Sequence, residues 1–158
     1  MEINYQVKAD AYIELGDRVI LEKSPQDAEI CYRTAIELIP EDPRAWYKLG
    51  QCQAACRLPN QQLASFRFAV QFSDHNPEYL YHLGCLLDQM NLLTELDELL
   101  KKNYDRCCNN PWFLTLDGIL QWRNERWDAA KKILNKCLTL NPVPILESKI
   151  QWFDPATI

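Results

Sequence analysis

The sequence has little glycine, little histidine and no long apolar run. Its 158 residues contain four glycines and two histidines. No stretch approaches the roughly 20 apolar residues that a membrane-spanning helix needs. The opening MEINYQVKAD mixes charged and polar groups where a secretory signal would be apolar. The cytoplasm is therefore the expected compartment, with no membrane partner. Basic charge is also lacking: the net charge of −5 argues against nucleic acid, whose backbone rewards clustered Lys and Arg. The single basic run, Lys101, Lys102 and Arg106, is interleaved with Asp97, Glu98 and Asp105 and reads as a solvated helix face.

Chemistry is scarce as well. There is no glycine-rich phosphate loop, and no Ser or Cys nucleophile has a base at an interpretable spacing. The chain is not expected to be an enzyme, to carry a cofactor or to hold a metal. Its seven cysteines are odd in number, and most fall within amphipathic patterns where a free thiol acts as a small hydrophobe. Cys52 and Cys56 stand four apart on a predicted helix, a spacing unlike the close pairs on turns that structural zinc prefers. The vicinal Cys107 and Cys108 would form only a strained disulfide, which a reducing compartment does not favour. His75 falls at a turn, and His82 on a helix where it could lend recognition a weak pH dependence.

What the sequence does have is a period. Gly16, Gly50, Gly84 and Gly118 follow one another at intervals of 34 residues. Pro43, Pro77 and Pro111 keep the same interval, each preceded by a capping residue: Asp42, Asn76 and Asn110. An Asx side chain accepts from the unpaired N–H groups of a first helical turn, and proline at the next position has no N–H to leave unpaired. Each pair thus predicts a helix start. A glycine inside that helix costs about 1 kcal/mol against alanine and implies close approach of a second helix. Small residues such as Ala28 and Ala130, twelve positions after Gly16 and Gly118, are the expected contacts. Tyr32 and Ala35, Phe66 and Ala69, Leu100 and Asn103, Leu134 and Cys137 follow in turn, and Pro40 and Pro142 close the first and last repeats.

These residues resemble the tetratricopeptide repeat (TPR), an aromatic, Leu-Gly, aromatic, Ala, aromatic, Ala, Pro pattern over 34 positions. The matches are Tyr12-Leu15-Gly16, Trp46-Leu49-Gly50, Leu80-Leu83-Gly84 and Leu114-Asp117-Gly118. The third repeat departs from the pattern, with Leu96 and Asn103 at the small-residue positions and Cys108 in place of proline, so its packing is expected to be shifted. The resemblance implies an all-α, right-handed α-solenoid of four helix-turn-helix repeats, at 9–42, 43–76, 77–110 and 111–144, in a single domain 1–158. Residues 145–158 would form a capping segment, with a short helix from Ile145 to Phe153.

In this family the first helix of each repeat, helix A, lines a concave peptide groove with its second, fifth, ninth and twelfth positions. Carried over, these are Asp10, Ile13, Asp17 and Ile20 in the first repeat, and Arg44, Tyr47, Gln51 and Ala54 in the second. The third supplies Glu78, Tyr81, Cys85 and Asp88; the fourth Trp112, Thr115, Ile119 and Trp122. Such a lining, aromatic and with an acidic surplus, implies a protein or peptide partner with apolar anchors and basic charge. It lacks the Lys, Asn, Asn, Lys, Arg clamp that some relatives use for a chaperone's C-terminal carboxylate. Ile13, Asp17, Lys48, Glu78 and His82 stand there in one register, and Tyr47, Gln51, His82, Trp112 and Leu116 in the other. The implied function is a scaffold, adaptor or chaperone-like binding module, as in secretion chaperones. The alternative is a regulatory or substrate-recruiting domain of a larger enzyme such as a transferase. Self-association through 145–158 is a further expectation.

Overall fold

The computed structural model describes residues 4–22 and 24–140. The predicted capping helix, Ile145 to Phe153, and Pro142 lie outside them. Among the described residues there are eight α-helices in antiparallel pairs: α1 (Tyr5–Leu21), α2 (Pro25–Leu38), α3 (Pro43–Ala55), α4 (Pro59–Phe72), α5 (Pro77–Gln89), α6 (Leu93–Cys107), α7 (Pro111–Arg123) and α8 (Trp127–Leu140). The contacts group into two compact units, Met1–Tyr79 and Leu80–Ile158.

The helix starts follow from the capping pairs. Asp42, Asn76 and Asn110 accept from the backbone N–H of Arg44, Glu78 and Trp112, each at 2.9 Å. α3, α5 and α7 are accordingly 13 residues each and start one period apart. α1 differs from the expected start at residue 9. Asn4 caps it through the N–H groups of Gln6 and Val7, so it begins at Tyr5 and runs 17 residues.

The turns inside the pairs repeat as well. Arg57, Asn91 and Glu125, one period apart, all adopt φ near +58°. The next residue closes a six-to-one hydrogen bond back into the helix: Leu58 to Gln53, Leu92 to Leu87 and Arg126 to Gln121, at 2.8–2.9 Å. This helix terminator usually places glycine in the left-handed position. Here an arginine, an asparagine and a glutamate occupy it, which hides the motif from a search for glycine.

In the first unit, α1 packs on α2, α2 on α3 and α3 on α4. One cluster joins Ala9 and Ile13 of α1, Ala28, Tyr32 and Ala35 of α2, and Ala45, Leu49 and Cys52 of α3. The glycines do not meet the small residues expected of them. A Cβ on Gly16 would lie 2.6 Å from the Tyr32 ring, and one on Gly50 2.5 Å from the Phe66 ring. The glycine makes room for the bulky residue sixteen positions later, because a ring needs that clearance and an alanine does not.

In the second unit α7 packs on α8, and α6 contacts α7. Gly118 keeps the rule: a Cβ there would lie 2.6 Å from Leu134. Gly84 breaks it. The three atoms nearest to a Cβ added there all belong to Leu116 on α7, from 2.6 Å, instead of to Leu100. The third repeat, which lacks the small helix B residues, is shifted at this contact. Asn103, where alanine stands in two other repeats, is buried and donates to the Leu99 carbonyl of its own helix at 2.8 Å.

Candidate functional site

The helix A residues inferred from the resemblance divide between surface and core. In the first unit, Asp10, Asp17 and Ile20 are half-buried and Arg44, Gln51, Ala54 and Glu78 exposed, while Ile13 is buried in the α1–α3 cluster. Tyr47 is half-buried, its ring stacked on Phe66 at 5.6 Å and tilted against Tyr79 at 4.8 Å. Its hydroxyl accepts from Gln51 Nε2 at 2.9 Å. Burial, and then the charge of Glu78, push the Tyr47 phenol up to about 12.

Asp10 and Asp17 on this face are ion-paired. Arg44 Nη2 reaches Asp10 at 2.6 Å and Asp42 at 2.7 Å. The Arg44 hydrogen bond is the main reason that the Asp10 carboxyl titrates below its usual range. Lys48 Nζ lies 3.0 Å from Asp17, and the Tyr32 hydroxyl donates to the same carboxylate at 2.8 Å. Tyr32 thus fills the clearance beside Gly16 and holds Asp17 where Lys48 can meet it. Such pairs contribute little to stability when exposed, but they reduce the negative surplus that the helix A positions alone suggest. Neither Asp42 nor Lys48 is among the four helix A positions carried over from each repeat, although Lys48 stands at one of the clamp positions.

Beside this pair is an open depression of about 420 Å³, lined by Asp17, Ile20, Leu21, Tyr32, Lys48, Gln51 and Ala55. Three of these residues are groove positions by the resemblance. Leu21 and Ala55 are not, and only their positions next to Ile20 and Ala54 signalled them.

In the second unit, Cys85, Asp88, Trp112 and Trp122 are half-buried, and Tyr81, Thr115 and Ile119 are buried. Tyr81 packs against Trp112 at 4.8 Å, with His82 edge-on at 5.5 Å. Burial is the main cause of the raised Tyr81 phenol pKa. Thr115 donates to the Pro111 carbonyl at 2.8 Å and touches Cys137 on α8 at 3.6 Å, which makes it part of the α7–α8 contact. Asp88 is paired with Arg123 at 2.8 Å. Trp122 meets Trp127 edge-to-face at 4.4 Å.

Cys52, Cys107 and Cys137 are buried, and the other four cysteines half-buried. Cys52 is fully buried and donates to the Pro25 carbonyl at 2.7 Å, and burial pushes its thiol up to about 11. Cys137 is fully buried and donates to the Pro111 carbonyl at 3.2 Å. Among the described residues, no three His, Cys, Asp or Glu side chains stand together as a metal site. No described helix is long and apolar enough to cross a membrane.

No family model matches the sequence, and no curated protein matches it. Solved structures do. PilF of Pseudomonas aeruginosa superposes with a TM-score of 0.75 at 21% identity, over 91% of this chain and 66% of its own. TTC0263, a thermophilic TPR protein of Thermus thermophilus, gives 0.73 at 18% identity, over 94% and 82%. The APC/C hetero-tetramer Cut9-Hcn1 gives 0.71 at 16% identity, over 84% of this chain and 25% of the other. The present chain therefore spans about two thirds of PilF and a quarter of the Cut9-Hcn1 chain. At these identities the likeness establishes the fold, an all-α helical-repeat protein resembling TPR proteins.

Proposed function

We propose that this chain is a non-catalytic protein-binding module of four TPR-type repeats, which holds an extended or helical segment of a partner on its helix A faces. The observation that carries this reading is the open depression of the first unit, where Ile20, Leu21 and Ala55 give an apolar floor beside the Asp17–Lys48 pair. Tyr47 and Gln51 continue the same face with a rigid ring and an exposed amide. Aromatic and apolar anchors with a few fixed polar groups are what peptide grooves use. With Asp10 and Asp17 both paired, apolar anchors carry the recognition and basic charge is secondary. A cytoplasmic scaffold, adaptor or chaperone for an aggregation-prone client is the corresponding role.

The test is affinity capture with mass spectrometry, comparing the intact chain with a Tyr47→Ala/Leu21→Ala/Gln51→Ala variant that retains its helical circular dichroism. The reading expects a partner enriched by the intact chain and lost from the variant. An enriched set that does not change would refute it. The match to only a quarter of the Cut9-Hcn1 chain supports a second reading, in which the same fold recruits substrates within a larger protein. The mass of the native gene product separates the two.

A further inference from the structure

The second positions of the first three repeats alternate in charge: Asp10, Arg44 and Glu78. Arg44 reaches back one period to Asp10 at 2.6 Å and holds Asp42 at 2.7 Å, so two carboxylates already share its charge. The residue one period after Glu78 is Trp112, which carries none. Glu78 is exposed, and no described residue pairs with its carboxylate.

Beside that carboxylate stand two aromatic rings. Tyr79 follows it on α5, and its ring meets that of Tyr47 on α3 at 4.8 Å, with 31° between the planes. Both residues are half-buried. Burial first, and then the charge of Glu78, raise the phenol pKa of Tyr47 and of Tyr79, so both rings lie within the field of this one carboxylate. Asp10, Asp42 and Glu78 against Arg44 leave a surplus of negative charge around the pair. A tyrosine face attracts a cation, and an unpaired carboxylate next to it adds to the attraction. The tyrosines also continue the open depression: Gln51 lines it, and the Gln51 amide donates to the Tyr47 hydroxyl at 2.9 Å.

We infer that Tyr47, Tyr79 and Glu78 form a subsite for one lysine or arginine side chain of the partner segment, next to the apolar depression. This rests on the partner binding proposed above and gives it a chemistry, a basic residue close to an apolar one. Arg44 does not take the place of that cation, because Asp10 and Asp42 hold its guanidinium. An acidic side chain is disfavoured there by the same surplus of negative charge.

The test is selection on the immobilised intact chain from a library of random heptapeptides, acetylated and amidated so that their termini carry no charge. The bound pool should hold lysine and arginine at about fivefold their share of the unselected library, beside enriched apolar residues. High salt should lower the basic enrichment and spare the apolar one. Glu78→Gln and Tyr79→Leu, with helical dichroism unchanged, should each reduce the basic enrichment by about twofold or more and keep the apolar one. A wild-type pool enriched in apolar residues alone overturns the inference and leaves the partner-binding reading standing. So does a basic enrichment that Glu78→Gln does not lower. A pool no different from the library overturns both.

Discussion

The two compact units are built on one period but use it differently. In the first, Gly16 and Gly50 each clear space for an aromatic ring from their own repeat, Tyr32 and Phe66. In the second, Gly118 clears space for Leu134, and Gly84 for Leu116 of the next repeat. The periodic glycine therefore encodes where backbone and side chain approach closely, and the residue that fills the gap decides which helix is held. The surfaces differ accordingly. The first unit has an open depression lined by Gln51 and the Asp17–Lys48 pair. The second buries Tyr81, Thr115 and Ile119, three of its expected groove residues.

The largest expected effect comes from filling the glycines. Gly50→Ala and Gly16→Ala drive a Cβ into a buried ring that cannot turn aside. Overpacking of about 1–3 kcal/mol then outweighs the helix preference of alanine, about 1 kcal/mol. Gly84→Ala meets the two terminal methyls of Leu116 at 2.6 Å and its Cγ only at 3.2 Å; the branched end of a buried leucine can give further than a ring, so the loss should be the smallest of the four. Gly118→Ala should fall between, because it also meets Leu134 Cγ, at 2.8 Å. Urea unfolding of the four variants checks the order; equal losses at Gly50 and Gly84 would abolish the distinction between the units.

A smaller effect, equal in the two units, is expected at the turns. Arg57 and Glu125 hold φ of 58° and 59°, which costs any residue with a Cβ. Arg57→Gly and Glu125→Gly should each raise stability by about 0.5–1 kcal/mol, the relief of the left-handed strain less the entropy of a freer unfolded chain. A shift of the urea midpoint upward in both variants is the readout.

The response to alkali is absent at neutral pH. Burial raises the Cys52 thiol from 9.0 to about 11, and Cys137 moves in the same direction. The unfolded thiol ionises first, so this contribution is fully present below pH 9 and is lost as pH rises through 11. Cys52→Ala should flatten the fall in stability between those values, and Cys137→Ala the fall above pH 9, measured as the urea midpoint against pH.

Much of the fold was legible because capping residues and glycine act locally. Asp42, Asn76 and Asn110 start helices wherever they precede Pro in this pattern, and the structure has them doing so. Asn4 was missed because no proline follows it. The turn residues Arg57 and Glu125 were missed because their left-handed conformation is imposed by the packed helices on either side and leaves no glycine to see. At the candidate site, spacing along helix A identified a face but could not tell how much of it the neighbouring helices cover. Thr115 therefore carries the pattern of a groove residue while it packs on Cys137. Nor could spacing show that Lys48 and Arg123 neutralise Asp17 and Asp88. Those pairs join residues 31 and 35 positions apart, and depend on how successive A helices are set side by side.

The most direct test of partner binding on the first unit's helix A face is site-specific photocross-linking. A photoreactive residue replaces Leu21 or Gln51 at the depression, or Glu37 on the exposed side of α2, in the intact chain. The account predicts a cross-linked partner of defined mass from positions 21 and 51 and none from 37. Cross-linking only from 37, or from all three positions alike, would contradict it.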